Sequence, residues 1–331
     1  MNLREIGKNL GLSYGTVSIC LSGDPDKIKL SRATVERVRA YAKEVGYVPN
    51  ILARRLFSAS EKDAPLGIIY KLDTASDKTM VYLRDAMKYL TDSKREFIIQ
   101  SCEASGILNT CKVFLGMKIR RVIILGYIFD HMLKGIETLK GLELYIPHYS
   151  SNEIPNIPQI KCCYANTQDD FIRQFANHII EIGHGPIAAD LNTEYVLDKG
   201  TIAKNALFDT GIASDLFETG ASMENWALKL IKKGKCRTIM LHNDTVAIGL
   251  AERLIANGVR IPQDVSIIGF NNSEISEHSV IPLSTIELPI WDNIKMILSH
   301  LLNETELPRV CQSNPVFIPR ASSDASITFK Q

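Results

Sequence analysis

The sequence predicts a small all-α unit of the helix-turn-helix kind, followed by a two-lobed α/β body built on doubly wound parallel sheets. Three observations carry this expectation. Leu3–Leu10 and Leu12–Leu21 are short stretches joined through Gly11, the outline of two helices meeting at a sharp turn. From Leu66 onward, short apolar runs alternate with amphipathic stretches of helical length. Charge is also segregated: residues 1–57 hold ten Lys/Arg and five Asp/Glu, a balance of +5 that leaves −4 for the rest of a chain whose formal charge is +1. A basic head on a mildly acidic body suits a polyanion-binding module attached to a body that avoids polyanions.

A chain of 331 residues has room for two to three compact units, and 45% hydrophobic with 23% charged residues is an ordinary globular composition. The seven cysteines are odd in number and scattered, with no CxxC or Cys/His spacing for zinc and no even disulfide framework. They read as small apolar residues in a reducing compartment, and no metal or other cofactor is expected. The chain opens directly on a charged amphipathic stretch, so no signal peptide is expected, and runs such as Val122–Leu125 are far below membrane-spanning length. A cytoplasmic protein is the expectation.

In the head, Leu3, Ile6 and Leu10 fall on one helical face and leave Arg4, Glu5 and Lys8 outside. Ser13 is placed to cap the second helix. Val17 and Leu21, four residues apart, should pack on the first helix, leaving Tyr14, Gly15, Thr16, Ser18 and Ile19 outside. A third helix should start after Ser31, bury Val35, Val38, Ala42 and Val45, and stop at Gly46 in the left-handed conformation.

Three blocks follow one another in order: Thr16-Val17-Ser18, Gly46-Tyr47-Val48-Pro49-Asn50 and Ala53-Arg54-Arg55-Leu56. Together they resemble the DNA-binding domain of the LacI/GalR family of bacterial transcription regulators. The resemblance implies a DNA-facing set of Ser13, Tyr14, Gly15, Thr16, Ser18 and Ile19 in the head and Asn50, Ala53, Arg54 and Leu56 in a hinge helix formed on the operator. In that hinge Ala53 and Leu56 would face the minor groove, with Leu56 as a wedge that unstacks a base step. Two features depart from the family pattern. Ile19 stands where an arginine able to read guanine is usual, and Ile19 donates no hydrogen bond but can touch a thymine methyl. The Gly23–Leu30 loop, with Lys27 and Lys29, is also longer than usual.

In the body, candidate strands are Leu66–Tyr70, Phe97–Ser101, Val122–Leu125, Leu144–Pro147, Gly185–Ala189, Thr238–Leu241 and Val265–Gly269. Candidate helices are Met80–Ser93, Asp169–Ile182, Glu224–Lys233 and Val246–Asn257. Strands alternating with helices of this length imply parallel sheets. The segment Leu241–Asn272 runs strand, helix, Gly258 cap, Pro262 turn, strand and polar loop. It resembles the regulatory domain of LacI/GalR proteins, which shares the fold of periplasmic sugar-binding proteins, and Pro282–Pro289 resembles a return crossing between lobes. The expected division is residues 1–49 as the DNA-binding head, 50–65 as hinge and linker, and 66–331 as the effector-binding and dimerisation body. Within the body, lobe 1 is expected at 66–157 and 288–309 and lobe 2 at 158–287 and 310–325.

Doubly wound sheets bind ligands beyond the carboxyl ends of their strands, here between two lobes. With the resemblance, this makes Asp73, Asp77, Asn192, Lys199, Asn243 and Asn271 the candidate effector residues. Asn271 stands where the family usually has an aspartate for paired hydroxyls, Lys199 aligns with a usual arginine, and Asp73–Asp77 replaces an aromatic-rich turn. These changes point to an unusual ligand, with a sugar, polyol or nucleoside, or no ligand at all, as the alternatives. Asp244 fits either a helix cap or the effector site.

No GxGxxG or P-loop is present, and neither Gly126-Tyr-Ile-Phe nor Gly183-His-Gly-Pro has the mechanics of a nucleophile elbow. No catalytic residue is expected. The expected function is a repressor that binds a pseudo-palindromic operator DNA as a homodimer, under control of a small molecule. The alternatives are a solute-binding protein of a sugar transport system and a regulator with a vestigial pocket.

Overall fold

The computed structural model describes residues 2–22, 30–48, 64–72, 77–149, 154–166, 168–190, 213–216 and 222–329. They form two compact units, a head within residues 1–64 and a body within 65–331.

The head has three helices, each begun and ended by its own sequence. Helix α1 (Leu3–Leu10) starts in a capping box: the Asn2 side chain accepts from the Arg4 and Glu5 amides while the Glu5 carboxylate accepts from the Asn2 amide. It stops at Gly11 in the left-handed conformation, φ 62°. Helix α2 (Tyr14–Ser22) is entered through Ser13, whose Oγ accepts from the Thr16 amide at 3.0 Å and pairs with the Thr16 hydroxyl at 2.8 Å. Helix α3 (Arg32–Glu44) is capped by Ser31 and closed by Gly46 at φ 63°, with the Tyr47 amide donating back to the Ala42 carbonyl at 2.8 Å.

Ile6, Val17, Cys20, Val35, Val38 and Ala42 make the head's core, with Leu21 packed against it. Val45 departs from the expected stripe and is half-exposed, because α3 ends one residue before it. Cys20 fills the core instead. The turn after α1 folds back so closely that a Cβ on Gly7 would lie 2.7 Å from the Leu12 carbonyl oxygen.

The body holds two six-stranded sheets. The first contains β1 (Leu66–Lys71), β2 (Phe97–Cys102), β3 (Arg121–Leu125), β4 (Glu143–Tyr149), β5 (Ile160–Asn166) and β11 (Val310–Ser313), in the order β11-β5-β4-β3-β1-β2 and parallel throughout. The second contains β6 (Ile187–Asp190), β7 (Ala213–Leu216), β8 (Thr238–Leu241), β9 (Ser266–Phe270), β10 (Ser284–Glu287) and β12 (Val316–Ile318), in the order β12-β10-β9-β8-β6-β7, with only β12 antiparallel. Strand order reverses between β1 and β3 in one lobe and between β6 and β8 in the other. In such sheets the reversal opens a crevice at the carboxyl ends.

Helices α4 (Asp77–Asp92), α5 (Ile107–Gly116) and α10 (Ile290–Asn303) go with the first sheet, where Leu90 of α4 and Ile294, Ile297 and Leu298 of α10 are fully buried against Leu66, Ile68 and Ile123. The second sheet is covered by α6 (Gln168–Glu181) on one face, and by α7 (Met223–Lys232) and α8 (Asp244–Ala256) on the other; the short α9 (Glu274–His278) follows β9. Phe171 and Phe175 of α6 stack with each other and meet Phe317 and Phe329, so the C-terminal segment is part of the core.

The expected lobe boundaries need correction at two of the three crossings. β5 was assigned to lobe 2 by the boundary at residue 157, yet it pairs in register with β4, so the first crossing comes after Asn166. Val310–Ser313 likewise pairs with β5 in the first sheet, and the third crossing comes after Ser313, not Arg309. Neither segment has the Val/Ile-rich run that marks a buried parallel strand, although β5 lies between β4 and β11 and is buried; only β11 is an edge strand.

Gly7→Ala is expected to destabilise the head by roughly 1–3 kcal/mol through the clash with Leu12. Calorimetry should show the head's transition lowered, by about 4–8 °C per kcal/mol for a unit of this size, with the body's transition unmoved.

Candidate ligand cleft and DNA-facing helix

Helix α2 presents its first turn outward. Tyr14 is 51% exposed and Gly15 is exposed, Ser18 and Ile19 are half-exposed, and Val17 and Cys20 turn inward. The expected outer face is therefore the observed one. Ser13 and Thr16 are both exposed to some degree but spend a hydrogen bond on each other and on capping α2. Arg37 and Arg39 of α3 donate to the Leu10 and Cys20 carbonyls, which ties the third helix to the ends of the first two. Asn50, Ala53, Arg54 and Leu56 lie outside the described residues.

In the body, a cleft partly open to solvent lies at the β1/β3 reversal and reaches lobe 2. The first turns of α4 supply Lys78, Thr79 and Tyr82, and the ends of β3 and β4 supply Tyr127 and His148. Asn271, after β9, is the contribution from lobe 2. Leu125, Pro147, Ile290 and Ile294 form its apolar part. Tyr127 meets the His148 ring edge-on at 4.7 Å, and burial pushes its phenol up to about 12, so it is a neutral donor.

Of the effector candidates, Asn271 lies on the cavity, with φ 97°, a backbone position that asparagine tolerates better than most residues. Asn243 is the N-cap of α8 and accepts from the Val246 amide at 2.8 Å; it is not on the cavity wall. Asp77 begins α4. Asp73, Asn192 and Lys199 lie outside the described residues. Sequence reasoning missed Lys78, Tyr82, Tyr127 and His148. The signal was available: the carboxyl ends of β3 and β4 obey the same crevice rule as β1, and Lys78 and Tyr82 sit one turn apart at a helix start.

Asp244 resolves as structural. It is 1% exposed, and its carboxylate accepts from the Thr285 hydroxyl at 2.6 Å and from the Ser273 amide and hydroxyl at 2.6 and 2.9 Å. One side chain thus pins the start of α8 to the loop after β9 and to β10. The loop is held from its other side by Arg320, which donates to Asn272 Oδ1 at 2.8 Å, to the Leu283 carbonyl at 2.8 Å and to Ser276 at 3.1 Å. From lobe 1, Lys78 donates to the Asn272 carbonyl at 2.6 Å. Burial raises the Asp244 carboxyl above its ordinary 3.8, opposed by the hydrogen bonds from Thr285 and Ser273.

His184, Ser326 and Asp324 also cluster, but Asp324 accepts from Ser326 and not from the imidazole. The base is therefore not oriented by the acid as a nucleophilic triad requires. The contact fastens the C-terminal segment to the turn before β6.

Comparison with known proteins agrees with this architecture. Residues 200–323 match the periplasmic binding protein-like domain model. The HTH-type transcriptional regulator AscG of Escherichia coli K12 is 26% identical over 316 residues, covering 90% of each chain. The HTH-type transcriptional repressor PurR of Vibrio atlanticus is 21% identical over 97% of this chain and 98% of the relative. The lac repressor dimer, solved with operator and the anti-inducer ONPF, superposes with a TM-score of 0.71 at 17% identity, over 98% of this chain and 99% of the other.

A helix-turn-helix head carried by a two-lobed, periplasmic-binding-protein-like body defines a DNA-binding transcription regulator with a ligand-binding domain. Over nearly its whole length the chain is similar to regulators of the LacI/GalR kind.

Asp244→Ala is expected to destabilise the body by about 3 kcal/mol, since it strands three buried donors, and Asp244→Asn by less. The raised carboxyl also fixes a pH signature. A folded value above the unfolded one gives stability that is complete below pH 3.8 and lost as pH rises through the folded value. The stability of the natural protein relative to Asp244→Asn should therefore fall as pH rises above 3.8 and then level off, read by urea titrations at stepped pH.

Proposed function

We propose that this protein is a repressor that binds a pseudo-palindromic operator as a homodimer, with its affinity set by a small molecule held between the two lobes. The observation that carries the reading is the exposed first turn of α2, Tyr14 and Gly15, held out by a fully packed three-helix core. The positive end of a helix and the basic balance of residues 1–57 favour a phosphate backbone, and Tyr14, Gly15 and Ile19 are the groups left to meet bases.

Ser13 and Thr16 fix the entry angle of that helix and offer hydroxyls to phosphates, with Ser18 one turn on. Asn50, Ala53, Arg54 and Leu56 form the hinge, in which Leu56 wedges a central base step. A twofold site follows from a twofold protein, as in the lac repressor dimer bound to operator. In the body, the cavity that Asn271 shares with Lys78 and Tyr127 supports an effector site, extended by Asp73, Asp77, Asn192 and Lys199. Asn243 acts there only indirectly, as a helix cap. A ligand that prefers one lobe arrangement changes operator affinity by about 5- to 150-fold for 1–3 kcal/mol of coupling.

The protein works in the cytoplasm and catalyses no reaction; no described helix is long and apolar enough to cross a membrane. The rival reading as a transport-linked solute-binding protein has no use for a head of this kind.

The test is fluorescence anisotropy of the full chain with DNA from upstream of its own gene, across a salt series. Specific binding that weakens steeply with salt is expected. Tyr14→Ala should weaken it by about 1–3 kcal/mol. Leu56→Ala should weaken specific binding and spare the weak non-specific kind. Absence of salt-dependent binding to that DNA overturns the proposal, and equal losses on specific and random DNA overturn the wedge.

A further inference from the structure

We infer that the ligand of the interlobe cleft is an organic anion with an apolar or aromatic body, its negative group taken by Lys78. The inference deepens the effector reading above and rests on it.

Lys78 is the one cationic residue among the described residues lining the cavity, and none of those lining residues is a carboxylate. An ammonium has three N–H donors. Among the described residues one is spent, on the Asn272 carbonyl at 2.6 Å. Glu287 lies 3.7 Å from Nζ, beyond hydrogen-bond length, with a side chain 36% exposed and off the cavity wall. A pair of that length and exposure holds an ammonium weakly. The Tyr82 ring stands 6.0 Å from Nζ and adds a face and no acceptor. The Lys78 side chain is nonetheless only 19% exposed and lines the cleft, so its ammonium has little water around it to satisfy its other donors.

The other polar side chains around the cleft are Thr79, Tyr82, Tyr127, His148 and Asn271, all of which can donate. Burial keeps the Tyr82 and Tyr127 phenols protonated, as donors. Asn271 brings an amide, which holds one donor and one acceptor face where a carboxylate would hold two acceptors. A polyol is held best by a carboxylate that takes a pair of hydroxyl protons, and no described lining residue supplies one. A carboxylate or similar anion needs donors and a cation, which the wall supplies. Leu125, Pro147, Ile290 and Ile294 make the remaining wall apolar, and this selects an anion with a hydrocarbon or aromatic body over a small inorganic one. Because Lys78 already ties α4 of lobe 1 to the loop after β9 in lobe 2, an anion on Lys78 sits on the contact between lobes. Its binding therefore changes their relative stability.

The experiment uses the full chain and matched probes: phenylacetate and isovalerate, their neutral amides phenylacetamide and isovaleramide, and the neutral glucose and adenosine. Thermal unfolding and titration calorimetry read binding, and operator anisotropy reads the coupled effect. The acids are expected to raise the melting temperature and the amides not. Lys78→Met should weaken acid binding about 10- to 100-fold, the value of a charged hydrogen bond. Glu287→Gln removes the competing carboxylate and should tighten it, which keeps the test alive should the lysine variant not fold. Amides binding as well as acids, or acids binding Lys78→Met undiminished, overturn the anionic class. Stabilisation by glucose or adenosine alone overturns it too, while leaving the effector cleft standing. If no probe of any arm binds or changes operator affinity, the anion proposal and the effector reading fall together.

Discussion

A single buried carboxylate holds together the part of the body where its two lobes meet. Asp244 begins α8, yet its oxygens are spent on Ser273 and Thr285, so helix, loop and strand share one fixed point. The price is desolvation of a charge, which the three donors offset. Gly269 completes the arrangement: a Cβ there would lie 2.7 Å from a Leu283 methyl and would also strike Asp244, so only glycine lets the helix start press on the sheet. The consequence runs outward to the Asn272 carbonyl and side chain, which are fixed in position to receive Lys78 from one side and Arg320 from the other.

The head obeys a different constraint. With six small buried residues it has too little core to tolerate imprecise helix ends, and its ends are accordingly over-specified. Asn2, Ser13 and Ser31 cap the starts, and Gly11 and Gly46 close two of the ends. The result is that a half-apolar helix, α2, stands with Tyr14 and Ile19 facing outward instead of collapsing inward. An exposed apolar reading face is stable only on such a scaffold, and it suits recognition by contact with base methyls and edges more than by a charged fork.

Local chemistry made much of this legible. Gly46 and Ser31 act where their backbone and capping preferences say they should, and each of the seven apolar runs read as strands overlaps a strand, with Gly185–Ala189 starting two residues early and Val265–Gly269 one. The runs that escaped notice did so for a physical reason. Ile160–Asn166 buries Cys162, Cys163 and Tyr164 in place of a Val/Ile run, and Val310–Ser313 is a four-residue edge strand; both are placed by pairing with each other and, for the first, with β4, a long-range event that leaves no local period. The helix Ile107–Gly116 is apolar over much of its surface and gave no clean amphipathic stripe, whereas Ile290–Asn303 buries Ile294, Ile297, Leu298 and Leu301 at helical spacing, a stripe the sequence does carry.

The candidate cleft divides in the same way. Asn271 was marked by its place after a strand, and it lies on the cavity. Asn243 had the same warrant and is a helix cap, because an asparagine one residue ahead of a helix serves its amides first. Lys78, at the start of a surface helix, looks in sequence like any solvated charge. Sequence by itself determined the kinds of element and their order, since capping, periodicity and strand–helix alternation are local properties, while the class of regulator came from the resemblance its motifs carry. Only the tertiary structure decided that Asp244 is a brace and that Lys78 reaches across to the Asn272 carbonyl, because both facts join residues 29 to 194 positions apart that no local pattern relates.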